Sequence, residues 1–294
     1  MLHFGALEAG GTKMVCAVGN AQGQILERIS LPTRDPENTM PEILAFFREK
    51  QVSAVGVGCF GPVDLDRNSP TYGNITSSPK LQWRNFPMLR RFREALGVPV
   101  GFDTDVNAAA LSEYALGAAQ GFNSCLYVTV GTGIGGGLIA EGNLVHGLVH
   151  PEFGHMLLRV SADDPMPDGV CPYHKGCLEG LACGPAIEAR WGKKPSLLPE
   201  GHKAWELEAE YLAQMCANAI FCISPECIVL GGGVMRQTHL FPMIRARTLD
   251  LLKGYVQHPR VLSGMEDYIV PPALGENSGI VGGLLLAKRA FQGL

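Results

Sequence analysis

The 294-residue chain is 46% hydrophobic and carries a formal net charge of −4. This size and apolar content suffice for one large or two modest domains, whereas the dispersed, slightly acidic charge offers no footprint for nucleic acid. The sequence shows neither a secretory signal nor a run near the ~20 apolar residues that span a bilayer. We therefore expect a cytoplasmic protein with no membrane or nucleic-acid partner.

The chain opens with a predicted β-hairpin. Residues 4–9 and 13–19 are short apolar runs joined by the glycine-rich turn 10–12, which is a hairpin signal. The same pattern returns in the second half, where residues 124–130 lead through a run of glycines into a further apolar segment at 138–140. One supersecondary unit that occurs twice predicts an internal duplication into two lobes.

Helices and strands alternate along the rest of the chain. In the first half the pattern predicts a helix at 39–50, a strand at 53–58, a polar loop at 64–80, a helix at 86–96, a strand at 99–104 and a helix at 105–117. In the second half it predicts a loop-rich segment at 141–185, a helix at 204–222, a strand at 227–230, a helix at 239–253 and a last helix from Gly279 to Phe291. This alternation predicts an α/β fold.

Both hairpin turns have the composition of phosphate-binding loops. Glycine lets a backbone approach phosphate oxygens closely, so that N–H groups can bind them. The candidate residues are Gly10, Gly11, Thr12 and Lys13 in the first loop and Gly131, Thr132 and Gly133 in the second. Either loop alone could be an ordinary hairpin turn, but the pair indicates a phosphate site. A G-x-G-x-x-G match at 131–136 leads into a strand and not a helix, which excludes a dinucleotide fold.

Four side chains in the loop-rich segment have the chemistry of a zinc site. Cys171, His174 and Cys177 follow one another at intervals of three, and His155 lies 16 residues before Cys171. Two thiolates and two imidazoles would complete a tetrahedral, structural Zn²⁺ site; chance clustering in a loop is the alternative. Disulfides are not expected, because the nine cysteines are odd in number and a cytoplasm is reducing.

Five further cysteines lie within apolar segments and are expected to act as small buried hydrophobes. They are Cys16, Cys59, Cys125, Cys216 and Cys222.

Taken together, these motifs resemble a known superfamily. The paired loops, with DTDVNAAA (103–110) and LGGGV (230–234), are similar to the actin/hexokinase/Hsp70 ATPases and, more narrowly, to the ROK family of sugar kinases and repressors. HPEFGH (150–155) and CPYHKGCLEG (171–180) resemble the fructokinase branch. The resemblance implies an α/β, two-lobed actin-like (ribonuclease H-like) fold with a zinc-bound loop in the second lobe. It also implies a homodimer.

The resemblance implies how the two lobes are divided and how they bind ATP. The small lobe would comprise residues 1–117 with the helix 279–294, and the large lobe residues 118–278. The two glycine-rich loops would hold the phosphates with Mg²⁺. Glu8, where many relatives carry Asp, would help to organise the magnesium. Adenosine would rest on the third glycine run, although such a bend can also serve packing alone; its residues are Gly231, Gly232 and Gly233.

Asp105 is the expected catalytic residue. At a strand-to-helix junction an Asp is commonly a helix cap, but the resemblance assigns Asp105 as the general base that takes the proton from the sugar hydroxyl. Thr104 stands where many relatives have a sugar-binding Asn, and its hydroxyl is expected to bind the sugar in its place. Gly61 opens the polar loop that reaches the sugar in relatives.

Three residues around the zinc motif are expected to bind the sugar. As isolated groups Glu152 and Glu179 would be surface charges, but the resemblance places both of them and His155 at the sugar hydroxyls. Fixing His155 and Cys177 on a metal would also fix the two carboxylates. The implied activity is transfer of the γ-phosphate of ATP to the 6-hydroxyl of fructose.

Two alternatives remain at this stage. The sugar could instead be glucose, mannose or N-acetylmannosamine, because preference rests on a few contacts. A non-catalytic sugar-sensing regulator is the alternative of another class; the family's sugar-responsive transcriptional repressors carry a helix-turn-helix domain before the first phosphate loop. Here that loop begins at residue 7, so we expect no such domain.

Overall fold

The computed structural model describes residues 2–294 and contains two mixed β-sheets with helices packed on them. The predicted α/β class is therefore confirmed. The chain forms two compact units: unit 1 comprises Met1–Leu116, Asn143–Pro151 and Asn277–Leu294, and unit 2 comprises Gly117–Gly142 and Glu152–Glu276. No helix in the described part of the chain is long and apolar enough to cross a bilayer.

The elements follow one another in the alternating order that the sequence predicts. The strands are β1 (Phe4–Ala9), β2 (Lys13–Gly19), β3 (Ile25–Pro32), β4 (Ala54–Cys59), β5 (Val100–Thr104), β6 (Cys125–Val130), β7 (Ile134–Ala140), β8 (Asn143–Leu144), β9 (Ile228–Gly231) and β10 (Ile269–Val270). The helices are α1 (Pro36–Glu49), α2 (Met88–Leu96), α3 (Asp105–Leu116), α4 (Leu178–Ala182), α5 (Gly184–Trp191), α6 (Ala204–Cys222), α7 (Leu240–Leu252), α8 (Pro259–Leu262), α9 (Met265–Tyr268) and α10 (Ser278–Phe291).

The sheet of unit 1 has the strand order β3-β2-β1-β4-β5. β1 and β2 form the predicted antiparallel hairpin, whereas β1, β4 and β5 run parallel. Ala9 pairs with Cys59, and Cys59 pairs with Thr104. Because parallel strands end at the same edge of a sheet, the segments that follow these three residues are neighbours.

Alternation along β1 divides its side chains between two faces. Leu7 belongs to the apolar core that includes side chains of α1 and α2, while Phe4 and Ala6 belong to the core that includes side chains of α10. Successive residues of a strand point to opposite faces, so Glu8 points to the same side as Phe4 and Ala6, toward α10.

Helix α10 packs so closely that two positions admit only glycine. A Cβ atom on Gly56 of β4 would lie 1.9 Å from the carbonyl oxygen of Gly283. A Cβ atom on Gly282 would lie 1.8 Å from the carbonyl oxygen of Ala108 in α3. Real Cβ atoms do not approach carbonyl oxygens this closely, so these glycines allow α10 to sit directly on the sheet and on α3.

Within unit 2 the strand order is β10-β9-β6-β7. β6 and β7 form the second predicted hairpin, and β9 runs parallel to β6 with Thr129 paired with Gly231. This register brings the second glycine-rich loop and the glycines after β9 to one edge of the sheet. α6 is buried over most of its length and packs against α7.

Several elements differ from those that the sequence predicts. β3 was not predicted because it is an edge strand that is exposed at Leu26, Glu27 and Arg28, and its apolar residues Ile29 and Leu31 are only partly buried. α4 and α5 lie partly within the segment predicted as loop-rich, and α4 has only five residues, too few for a helical period. Helix α1 begins three residues before the predicted start, because Asp35 caps it by accepting the N–H of Asn38 at 2.9 Å.

The expectation that five cysteines are buried is wrong for Cys222. Cys16, Cys59, Cys125 and Cys216 are buried, whereas Cys222 is exposed. It occupies the last position of α6, where the apolar pattern of the sequence continues but the helix leaves the core.

Residues 143–151, from the middle of the chain, belong to unit 1. Two histidines hold this segment. Nε2 of His146 lies 2.8 Å from Oδ2 of Asp103, and Nε2 of His150 accepts the backbone N–H of Val63 at 3.1 Å. These long-range hydrogen bonds have no signature in the sequence.

Candidate functional site

The first glycine-rich loop follows β1 and closes as a tight turn. The N–H of Gly10 donates to the carbonyl of Lys13 at 3.0 Å. Thr33 in the loop after β3 braces the turn from outside: its hydroxyl donates to the carbonyl of Gly10 at 2.8 Å, and its N–H donates to the carbonyl of Thr12 at 3.0 Å. The carbonyl groups of Gly10, Thr12 and Lys13 therefore all accept hydrogen bonds.

The backbone N–H groups at the tip of this loop differ in this respect from its carbonyl groups. Within residues 2–294, the backbone N–H groups of Gly11 and Thr12 make no hydrogen bond. The side chain of Lys13 is exposed beside them. Adjacent unpaired N–H groups next to an ammonium form an anion-binding arrangement, which is what the sequence predicts for a phosphate loop.

Glu8 lies beside this loop at the N-terminus of α10. A Cβ atom on Gly279 would lie 2.7 Å from Cδ of Glu8, so the carboxyl group fills the space that a side chain there would need. Burial raises the pKa of Glu8, and the positive charges of Lys13 and Arg28 partly oppose that rise. A carboxylate at a helix N-terminus is also favoured by the helix dipole.

Asp105 is the first residue of α3, directly after β5. The hydroxyl of Thr104 accepts the N–H of Asn107 at 3.0 Å, which is the hydrogen bond of an N-cap. Asp105 accepts the N–H of Val106 through Oδ1 at 2.9 Å. The helix is therefore capped by the residue before Asp105, and Thr104 is itself buried.

Gly61 stands at the same edge of the sheet. It follows β4 through Phe60, whose N–H donates to the carbonyl of Ala9 at 2.9 Å, and it forms a cis peptide bond with Pro62. The edge of unit 1 thus brings together the glycine-rich loop, Gly61 and Asp105, as expected for strands that end in register.

A carboxylate–imidazole pair near Asp105 was missed by the sequence analysis. The carboxyl group of Asp103 is buried; its Oδ1 accepts from the side chain of Asn107 at 2.7 Å, and its Oδ2 lies 2.8 Å from His146. The hydrogen bond to Asp103 raises the pKa of His146 against the effects of burial and of Arg67. The only hint in the sequence is the Asp-x-Asp repeat at 103–105.

In unit 2 the second glycine-rich loop lies between β6 and β7. The N–H of Gly131 donates to the carbonyl of Gly133 at 2.9 Å, and the carbonyl of Gly131 accepts the N–H of Gly184 at 2.7 Å. The first residue of α5 therefore rests against this loop. Thr132 lies between the two glycines of the turn.

The third glycine run follows β9 at the same edge. Gly232 has a φ of 92°, and a Cβ atom there would lie 2.4 Å from the carbonyl oxygen of Val130. The nitrogen of Gly233 lies 3.9 Å from the Cβ position of Gly131. Gly232 and Gly233 thus lie beside the end of β6 and the start of the second glycine-rich loop, because β6 and β9 are paired neighbours.

Glu179 reaches from the first turn of α4 to the same loop. Its Oε2 accepts the N–H of Ile134 at 2.9 Å and would lie 2.6 Å from a Cβ atom on Gly133. Burial raises the pKa of Glu152 to about 7, and the negative charge of Glu179 contributes to that rise. The two predicted sugar-binding carboxylates are therefore neighbours beside the loop.

The four predicted metal ligands form one cluster. Their ligand atoms all lie within 4.8 Å of one another, in the set His155, Cys171, His174 and Cys177. Nδ1 of His155 lies 3.8 Å from Sγ of Cys171 and 3.9 Å from Sγ of Cys177, and Nδ1 of His174 lies 3.8 Å from Sγ of Cys171. Tetrahedral zinc with ordinary bond lengths separates nitrogen and sulfur ligands by about 3.6 Å, so these residues fit that ion.

Cys177 also joins the cluster to Glu179. Its Sγ accepts the N–H of Gly180 at 3.4 Å and caps α4, which carries Glu179 in its first turn. A backbone N–H directed at a ligating sulfur is a common outer contact of metal sites. A metal held by Cys177 would therefore also fix the start of the helix that carries Glu179.

Comparison with known proteins identifies the family. The family model described as ROK matches residues 4–290, nearly the whole chain. The chain belongs to the ROK family. Membership agrees with the motifs at both glycine-rich loops and around Asp105.

Two proteins named as fructokinases and one solved ROK glucokinase are similar to this chain over nearly their whole length. The chain is 50% identical over 289 residues to a candidate fructokinase of Bacillus subtilis (strain 168), covering 98% of this chain and 96% of the relative. It is 44% identical over 290 residues to a fructokinase of Pediococcus pentosaceus, covering 98% and 99%. Among solved structures, the ROK family glucokinase of Streptomyces griseus in complex with glucose and AMPPNP has a TM-score of 0.78 at 26% identity, covering 98% and 99%.

Proposed function

We propose that this ROK protein is an ATP-dependent fructokinase with the two-lobed, actin-like fold of its superfamily. The observation that carries the proposal is the 50% and 44% identity, over nearly the whole chain, to proteins named as fructokinases. The loops and carboxylates described above supply the groups that such a reaction needs.

In unit 1, Asp105 would act as the general base. As the 6-hydroxyl oxygen of fructose bonds to the γ-phosphorus of ATP, its proton passes to the carboxylate of Asp105. The bond from the γ-phosphorus to the β–γ bridging oxygen breaks, and ADP leaves. This role is supported by the cap on α3, because Thr104 caps the helix and the carboxylate of Asp105 is not needed for capping. Gly61, at the same edge of the sheet, would border the sugar.

The glycine-rich loops would bind ATP. Gly10, Gly11, Thr12 and Lys13 in unit 1 and Gly131, Thr132 and Gly133 in unit 2 would hold its phosphates, with adenosine on Gly231, Gly232 and Gly233. Mg²⁺, when bound with ATP, neutralises charge on the β- and γ-phosphate oxygens. Glu8, beside the first loop, would help to orient that ion.

In unit 2, the sugar would be held by Glu152, His155 and Glu179. Carboxylates bind vicinal hydroxyls through both oxygens and discriminate against sugars that lack them. Zn²⁺, held by His155, Cys171, His174 and Cys177, would have a structural role because four protein ligands leave no open position. Its contribution would be to fix the loop that carries these side chains.

The proposal extends to location and assembly. The family resemblance supports a cytoplasmic enzyme and a homodimer. A related hexose is the alternative substrate, supported by the glucokinase among the structural neighbours; mannose and N-acetylmannosamine belong to the same alternative. A non-catalytic sugar-sensing regulator is the alternative of another class.

ADP release with fructose tests the proposal. Purified protein with Mg-ATP should release ADP only when fructose is present, and phosphorus NMR should show the new phosphate on O6. The Asp105→Ala variant should release none while keeping its fold and its zinc. A phosphate on O1, or no release with fructose, would contradict the proposal.

A further inference from the structure

Lys80, at the end of the polar loop after β4, reaches over the first glycine-rich loop. A Cβ atom on Gly11 would lie 3.2 Å from Cε and 4.0 Å from Nζ of Lys80. The methylene stem therefore occupies the space in which a side chain on residue 11 would stand. Its ammonium group lies at the rim of the loop.

This ammonium group has no partner within the part of the chain that the structure describes. Lys80 makes no ion pair and no side-chain hydrogen bond there. The positive charges that act on Glu8, the carboxyl group beside this loop, are those of Lys13 and Arg28. Lys80 thus adds an unpaired positive charge to the unpaired N–H groups of Gly11 and Thr12, and the three groups together suit a phosphate.

The backbone of Lys80 is anchored by hydrogen bonds, so the side chain starts from a defined position beside the loop. Its N–H donates to the hydroxyl of the buried Ser78 at 3.2 Å, and its carbonyl accepts the N–H of Trp83 at 2.9 Å. The ring of Trp83 is buried and donates through Nε1 to the carbonyl of Arg34 at 2.7 Å. Arg34 follows Thr33, the residue that braces the glycine-rich loop, so loop and lysine share one support.

The loop under Lys80 is the one near the proposed base. Ala9, before the loop, pairs with Cys59, and Cys59 pairs with Thr104, before Asp105. Neighbouring strands are about 4.8 Å apart, so these strand ends are separated by about 10 Å. A phosphoryl group bound over this loop would therefore lie near Asp105.

We infer that Lys80 binds the phosphoryl group that is transferred. Its ammonium donates to a terminal phosphate oxygen of ATP and stabilises the charge on the equatorial oxygens as the bond to the bridging oxygen breaks. It forms no covalent bond and moves no proton. The inference rests on the proposed function in that the bound anion is ATP.

Measurements of nucleotide affinity can distinguish phosphate binding by Lys80 from a purely structural role of this side chain. Binding of AMPPNP and of ADP, each with Mg²⁺, is measured by calorimetry for the wild-type protein, Lys80→Met and Lys80→Arg. Gln82→Met is the control, because Gln82 is exposed on the same short helical turn. We expect Lys80→Met to weaken AMPPNP binding about ten- to a hundredfold, as for the loss of one charge-assisted contact, and ADP binding less than twofold.

The other variants complete the test. Lys80→Arg should recover part of the AMPPNP affinity and part of kcat, and Gln82→Met should match the wild-type protein. If Lys80→Met lost affinity equally for AMPPNP and ADP, or lost affinity for neither, the inference would be overturned and the proposed function would still stand. Wild-type protein that binds neither nucleotide would overturn both.

Discussion

The hydroxyl of Thr104 accepts the N–H of Asn107 at 3.0 Å and so caps α3 one residue before Asp105. Helix capping thus falls to Thr104, which leaves the carboxylate of Asp105 available for its proposed role as general base. An Asp at a strand-to-helix junction is commonly a cap, and the structure gives that role to its neighbour. Substitutions at the two positions should therefore have different effects.

Asp105→Asn should lower kcat for fructose phosphorylation by about three orders of magnitude, within the range known for loss of a general base. The amide keeps the size of the side chain, so the melting temperature should change little. Thr104→Ala should instead lower the free energy of unfolding by about 1 kcal/mol. Steady-state kinetics and chemical denaturation of both variants test this, and the reverse pattern would contradict it.

Gly279→Ala should displace the carboxyl group of Glu8, because the added Cβ would lie 2.7 Å from Cδ of Glu8. If Glu8 orients magnesium, the Mg²⁺ concentration needed for half-maximal activity should rise several-fold. Adding Glu8→Asp should restore it, since the shorter acid leaves room. Gly201→Ala, at a glycine with open space around it, is the control. Unchanged magnesium dependence in Gly279→Ala would contradict a role for Glu8.

Cys171→Ser should abolish zinc binding, because the cluster has four ligands and no spare donor within it. We expect one zinc per chain in the wild-type protein by elemental analysis and much less than one in the variant. The variant should also melt at a lower temperature, since metal binding stabilises the folded loop. Cys222→Ser, which changes an exposed cysteine outside the cluster, should retain the metal. Equal zinc content in both variants would exclude the site.

The Asp103–His146 pair should make stability depend on pH. The pKa of His146 is raised in the folded protein, chiefly by its hydrogen bond to Asp103, so the native state binds its proton more tightly than the unfolded state does. The stabilisation is then complete below the unfolded pKa of about 6.5 and is lost as the pH rises through the folded pKa. Because the ring is partly exposed, we expect at most about 1 kcal/mol.

His146→Gln isolates that charge, since the amide can still donate to Asp103. Denaturation between pH 5 and pH 9 should show the wild-type protein more stable than the variant at the acidic end. The difference should vanish at the alkaline end. A difference that does not change with pH would mean that the proton on His146 contributes nothing.

The sequence predicts the strands that adjoin glycine runs better than it predicts the other elements. Apolar runs next to glycines locate β1, β2, β6, β7 and β9, and parallel register then brings the three glycine runs and Asp105 to the sheet edges. β3 and α4 could not be predicted, because β3 is an edge strand with no fully buried residue and α4 is too short to show a helical period.

Several contacts of the candidate site join residues that are far apart in the sequence, so they could not be predicted from it. Nothing in the local sequence of Lys80 shows that its stem lies on Gly11, or that Trp83 and Thr33 hold both in place. The spacing of Cys171, His174 and Cys177 could be read directly, because three ligands lie within one short loop. The pairing of His146 with Asp103 could not, because 43 residues separate the two.

The most direct test of the proposed activity is a comparison of kcat/KM for fructose, glucose, mannose and N-acetylmannosamine, each with Mg-ATP and followed by ADP release. We predict a value for fructose at least tens of times higher than for the other three, since loss of a matched hydroxyl contact costs that much or more. A higher value for another hexose would contradict the fructokinase assignment. No turnover with any of them, in folded and zinc-loaded protein, would contradict a sugar kinase altogether.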